Sequence, residues 1–90
     1  MAFEGMDVEA VSSLAGQLDT HASQINSTIS AIDGIISNME GSWKGRDAVE
    51  FQGWWQSQHR PHMLAVEHAI SGLAQSARNN VQQQQAASAQ

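Results

Sequence analysis

Apolar residues recur through the first half of this chain at the three- and four-residue spacing of a helix. With Val8 at position a of a heptad, the a positions read Val8, Ala15, Ala22, Ile29, Ile36 and Trp43. The d positions read Val11, Leu18, Ile25, Ile32 and Met39. Every one is apolar, which marks a continuous helical seam rather than a strand, whose side chains alternate between two faces. Leu14 and Ile35 widen the stripe at g, with His21 and Thr28 between them, while Ser12, Asp19, Asn26, Asp33 and Glu40 at e are all polar. A stripe of that width suits a helical bundle better than a two-stranded coil. Asp7 reads as the N-cap, and Glu9 places an acid in the first turn, where the helix dipole favours it. The pattern predicts a helix over about 7–40.

Around the midpoint the pattern stops. Gly41 and Gly45 bracket Trp43, and glycine supplies the positive φ that helix ends commonly need, so the turn is expected over about 41–46. Asp47, with Glu50 three residues on, reads as a variant capping box opening a second helix over about 47–81. Its seam is expected to carry Phe51, Trp55, Met63, Val66, Ile70, Leu73 and Ala77, with Val81 as a further candidate. Pro61 interrupts it, because proline has no N–H to donate to the Ser57 carbonyl and its ring crowds that oxygen. A kink near Pro61 is expected, with a break into two helices as the alternative. Residues 82–90, all Gln, Ala and Ser, read as a flexible tail. The fold class is therefore all-α: one domain over 1–90, an antiparallel helix-turn-helix hairpin. A lone hairpin of this size leaves wide apolar faces uncovered, so pairing into a four-helix bundle is expected, with Leu18, Ile25, Ile29, Ile32, Ile36, Phe51, Trp55, Val66, Ile70 and Leu73 as bundle and dimer core.

Composition narrows the function classes. The chain has no cysteine, which excludes disulfides, a thiol nucleophile and zinc–thiolate sites. Its net charge of −5 argues against nucleic acid, whose phosphates need clustered Lys and Arg. All four bases, Lys44, Arg46, Arg60 and Arg78, lie in the second half. The first helix thus has no cation to meet an anionic lipid surface, and a membrane-perturbing role fits poorly. The opening Met1-Ala2-Phe3-Glu4-Gly5 lacks the basic and apolar regions of a Sec signal, and no apolar run reaches the roughly 20 residues of a membrane span.

Chemistry is sparse. His59 and His62, three apart, share a helix face, but Pro61 distorts it and no Cys or carboxylate completes a ligand set, so no metal is expected. His68 and His21 read as flank residues. No Ser-His-Asp or paired-carboxylate arrangement stands out, so no catalytic residue, cofactor or small-molecule substrate is expected. Trp54 falls off the seam and is expected either partly exposed or packed on a partner.

One tripeptide remains. Trp43-Lys44-Gly45 is a Trp-X-Gly between two helical patterns, followed by Asp47, Ala48, Phe51 and Trp55 in a Gly-x-Asp-Ala-x-x-Phe-x-x-x-Trp run. In this the chain resembles the Trp-X-Gly family of early-secreted-antigen-like small proteins, the substrates of type VII secretion. The resemblance spans essentially the whole chain. It implies a hairpin that pairs with itself or a sister hairpin, and leaderless export as a folded dimer by a membrane secretion ATPase, with Trp43 and Gly45 as secretion motif. It also implies a role as a secreted binding or targeting module; the alternative is a structural dimerisation or delivery partner for a larger effector. The family's second export element, Tyr-x-x-x-Asp/Glu after the second helix, is missing, since the chain has no tyrosine. That favours a heterodimer, whose partner brings the element, over a homodimer.

Overall fold

The computed structural model describes residues 5–88. Helix α1 spans Val8–Met39, α2 spans Arg46–Trp54, a single π-helical stretch covers Trp55–His59, and α3 runs from Arg60–Ser88. No strand occurs among the described residues. Asp7 caps α1 as expected: its Oδ1 accepts from the Ala10 N–H at 3.2 Å and its carbonyl from that of Val11 at 3.0 Å. Residues 82–88, expected as part of a flexible tail, continue α3. Val81 is buried, which anchors the preceding turn, and Gln and Ala propagate a helix readily. The last two positions of that tail lie outside the described residues.

The reversal is built from local backbone bonds. The Met39 carbonyl accepts from both Ser42 at 2.9 Å and Trp43 at 2.8 Å, closing the end of α1. The N-cap of α2 is Gly45, with φ 107° and ψ −174° and no side-chain cap bond. The capping box expected from Asp47 and Glu50 is therefore not formed. Asp47 sits inside the first turn of α2, where its charge still meets the helix dipole. At Gly45 a Cβ would find nothing within 4 Å, so only backbone strain opposes a side chain there. Gly45→Val should cost about 1–2 kcal/mol, and so lower the melting temperature by several degrees. Gly41, whose φ is not positive, serves as control: Gly41→Val should shift melting less. An unchanged melting temperature for Gly45→Val would mean that the strain argument is wrong.

The chain forms two compact units, each pairing a stretch of α1 with a stretch of the second arm. One comprises α1 as far as Ala22 together with α3 from His68. Its buried residues are Ala15, Ala22, Ala74 and Val81, small side chains that let backbones approach closely. Arg78 Nη2 donates to Asp19 Oδ2 across this pair of segments, half exposed on both sides and so a modest contributor.

The other unit, Ser23–Glu67, holds the larger side chains. Ile29, Ile36 and Trp55 form its buried cluster, and Ile25, Ile32, Met39, Met63 and Leu64 pack around them. Ile29, at 2% exposure, is its most enclosed member. The cluster meets a polar clamp at its edge. Asp33 Oδ1 accepts from the Trp55 indole Nε1–H at 2.8 Å and from Arg60 Nε at 3.1 Å, while Oδ2 accepts from Arg60 Nη2 at 3.1 Å. These bonds, Arg60's first and Trp55's second, hold the Asp33 carboxyl below the usual carboxylate range against an opposing desolvation.

Two seam expectations need correction. On α1 the a positions from Ala15 to Ile36 are buried and the d positions half buried, but Leu14 and Ile35 at g are exposed. The inward face instead leans toward e, because Asp19 and Asp33 each find an arginine there. On the second arm Phe51, Val66 and Leu73, expected in the core, are exposed in this hairpin. Trp55 is buried as expected, as is Val81, while Ala48, Glu67 and Ala74 take buried places that the seam did not include. For Val66 and Leu73, which follow it, the exposure accompanies a distortion between Trp55 and Arg60. The backbone neither breaks nor leaves helical dihedrals, with φ/ψ of −60°/−53° at Trp55 and −59°/−49° at Arg60. Instead one turn widens, and the Arg60 N–H bonds the Trp55 carbonyl five residues back.

Candidate interaction surface at the helix reversal

The Trp-X-Gly tripeptide occupies the extended part of the reversal, between the last bond of α1 and the first turn of α2. Its tryptophan is no buried cap. Trp43 is 42% exposed and packs on one side against Phe51, with ring centroids 5.4 Å apart and planes inclined at 52°. That tilted contact is a favoured aromatic geometry and fixes the indole while leaving part of it in solvent. Gly45 contributes by backbone alone. Its left-handed φ turns the chain so that α2 starts three residues after Trp43 and its first turn, with Ala48 buried, lies beside the indole.

Together these residues frame an open groove of about 300 Å³, lined by Glu40, Trp43, Lys44, Gly45, Ala48, Val49 and Gln52. Glu40 and Lys44 bring one acid and one base to a lining that is otherwise largely apolar. Nearby, Ile32, Ile36, Phe51, Trp54, Trp55 and His59 line a second, almost wholly apolar recess of about 240 Å³. The large apolar side chains exposed on this unit include Trp43, Val49, Phe51 and Trp54, within a dozen residues of one another. Such clustering of exposed aromatics exceeds the scattered exposure ordinary on a monomer surface and is typical of binding surfaces.

The remaining candidates sort as follows. Ile29, Ile36 and Trp55 are buried; Leu18, Ile25, Ile32 and Ile70 are half buried; Phe51, Val66 and Leu73 face solvent. Trp54 is exposed, one of the two placements open to it from sequence. His59 and His62 are both exposed, His59 at the lining of the apolar recess, and no group of three or more His, Asp or Glu side chains able to hold a metal occurs among the described residues. No helix among them is long and apolar enough to cross a membrane. Sequence reading missed the clamp of Asp33, Trp55 and Arg60. Its partners stand 22 and 27 residues from the carboxylate, a separation no local spacing reveals.

Comparison with known proteins adds one match. The family model WXG100, described as proteins of 100 residues with WXG, matches residues 5–88. No curated protein matches the chain. No solved structure does either.

Proposed function

We propose, taking as premise that the chain belongs to the WXG100 family, that it is a non-catalytic binding module exported as a folded dimer by a type VII secretion system. The family is one of small proteins associated with type VII secretion, whose members generally pair with other WXG-type proteins. The observation that carries the reading is Trp43. It is positioned by Phe51 and by the left-handed Gly45, yet open to solvent at the tip of the reversal. An indole held rigid and half bare suits recognition, since little side-chain freedom is lost when a partner covers it.

The dimer follows from what one hairpin leaves uncovered. Leu14, Ile35, Val66 and Leu73 are all exposed aliphatic side chains. A second hairpin is the partner that would bury them and complete a four-helix bundle. With no tyrosine to supply a Tyr-x-x-x-Asp/Glu element, the partner is a sister hairpin in preference to a second copy, and the secretion ATPase reads the assembled pair. Outside the cell the dimer acts through binding or targeting.

The test is export itself. Protein should appear in the culture supernatant of a host carrying the secretion ATPase and stay in the cell pellet when that ATPase is disrupted. Affinity capture from the pellet should recover a second small hairpin in equal amount. Export independent of the ATPase would refute the reading, and capture of a single large protein instead would favour the delivery-partner role.

A further inference from the structure

In a regular helix, residues five apart stand about 140° from one another around the axis, on different faces. Trp55 and Arg60 are five apart, yet both side chains meet the same carboxylate, Asp33. The widened turn makes this possible. With the Arg60 N–H bonded to the Trp55 carbonyl, the fifth residue lies above the first, and the two side chains project to one side.

The consequence runs along α3. Continuing an unbroken α-helix from the buried Trp55 would bring residues 59, 62, 66, 73 and 77 inward, Val66, Leu73 and Ala77 of the expected seam among them. Most of the observed inward positions fall one residue later, with Ala77 and Arg78 both half buried. Arg60 and Met63 are half buried, and Glu67, Ala74 and Val81 are buried. His59, His62, Val66 and Leu73 are exposed. The contrast between neighbours is sharp: Leu73 is 60% exposed and Ala74 is 0%. One extra residue in one turn has rotated the arm so that a glutamate and an alanine lie inside while a valine and a leucine lie outside.

We propose that the Asp33–Trp55–Arg60 clamp is a register device: it holds the widened turn open, and thereby selects which face of α3 is presented, keeping the Val66–Leu73 stripe outward. A second, hydrophobically richer register is available to the same sequence, with Val66 and Leu73 turned inward and the turn relaxed to ordinary α geometry. The clamp tips the choice, because only the widened turn lets both donors reach one carboxylate. Pro61 is compatible with the widened turn, having no N–H to donate to the Ser57 carbonyl, but it does not by itself set the direction of the arm. The depressed acidity of Asp33 agrees with a carboxylate kept charged by these donors.

The absence of cysteine makes the test clean, since a single introduced thiol reports alone. In the unmodified protein, NMR coupling across the hydrogen bond should connect the Arg60 amide nitrogen to the Trp55 carbonyl carbon. In Asp33→Ala that coupling should move to the Gln56 carbonyl. On the same background, Ala74→Cys should react with a thiol reagent at least about tenfold faster than in the parent. Pro61→Ala should leave the Trp55 coupling in place. If Asp33→Ala does not fold, deletion of Ser57 decides. Removing the extra residue should give an uninterrupted α-helix with the phase of α3 preserved, so that Ala74→Cys stays protected. Retention of the Arg60–Trp55 coupling in Asp33→Ala would overturn the proposal. So would its loss in Pro61→Ala alone, or an unprotected Ala74→Cys in the Ser57 deletion.

Discussion

Ile29→Asp is expected to unfold the hairpin. Ile29 is 2% exposed and central to the cluster with Ile36 and Trp55, against which Ile25, Ile32, Met39, Met63 and Leu64 pack. Truncating a buried isoleucine costs about 2–5 kcal/mol in lost burial and cavity formation. A carboxylate in the same place adds the cost of a charge without a partner, or of the proton taken up to neutralise it. Arg60, the cation of this unit's clamp, is already engaged by Asp33. A domain of this length has a total stability of only about 5–13 kcal/mol, so the sum consumes most or all of it. Circular dichroism should show most of the helical signal lost at room temperature. Ser30→Asp, one position along on the exposed face, should melt within about 0.5 kcal/mol of the parent. A cooperative transition for Ile29→Asp close to the parent's would show that the cluster does not hold this unit together.

Trp43→Ala should abolish export while leaving the protein folded. The indole is 42% exposed, and among the described residues its ring contact is the one with Phe51, so its removal forfeits only part of an aromatic's burial. The expected cost is about 1–2 kcal/mol, below the roughly 3–5 kcal/mol of a fully enclosed ring. Export should fall by far more than that destabilisation explains, because the exposed part of the ring is what a partner would cover. Trp43→Phe restores much of the packing on Phe51 without the indole's reach and N–H, and so separates the two contributions. Supernatant and pellet are compared for both variants, with circular dichroism on the purified forms. Normal secretion of folded Trp43→Ala would reduce Trp43 to a packing residue and remove the main support for the functional reading.

The reversal shows how local signals survive into the fold. Asp7 caps α1 where its side chain stands before an apolar run, and Gly45 takes the positive φ that a glycine after Trp-X permits. Both depend on a few neighbouring residues. The capping box at Asp47 failed by the same standard: Gly45 makes the boundary by backbone geometry two residues earlier, so Asp47 is already inside the helix. The interaction surface was half legible. Trp43 and Gly45 were visible as a motif, but the clustering of Val49, Phe51 and Trp54 with them as exposed residues depended on which face of α2 turned inward.

By itself, the sequence determined the class of fold, two amphipathic arms and the place where the chain turns back, because helix periodicity, capping and glycine φ act over a few residues. It also determined that several apolar stripes compete for one interior. Tertiary structure decided among them. Asp33 reaches Trp55 and Arg60 across 22 and 27 residues, the turn between those two is widened, and the buried positions beyond it fall at Glu67, Ala74 and Val81. Val66 and Leu73 are thereby left outside and Glu67 and Ala74 are brought in. A phase shift of one residue changes no local propensity, so nothing in the residue pattern records it; it is settled only when both arms and their charges meet.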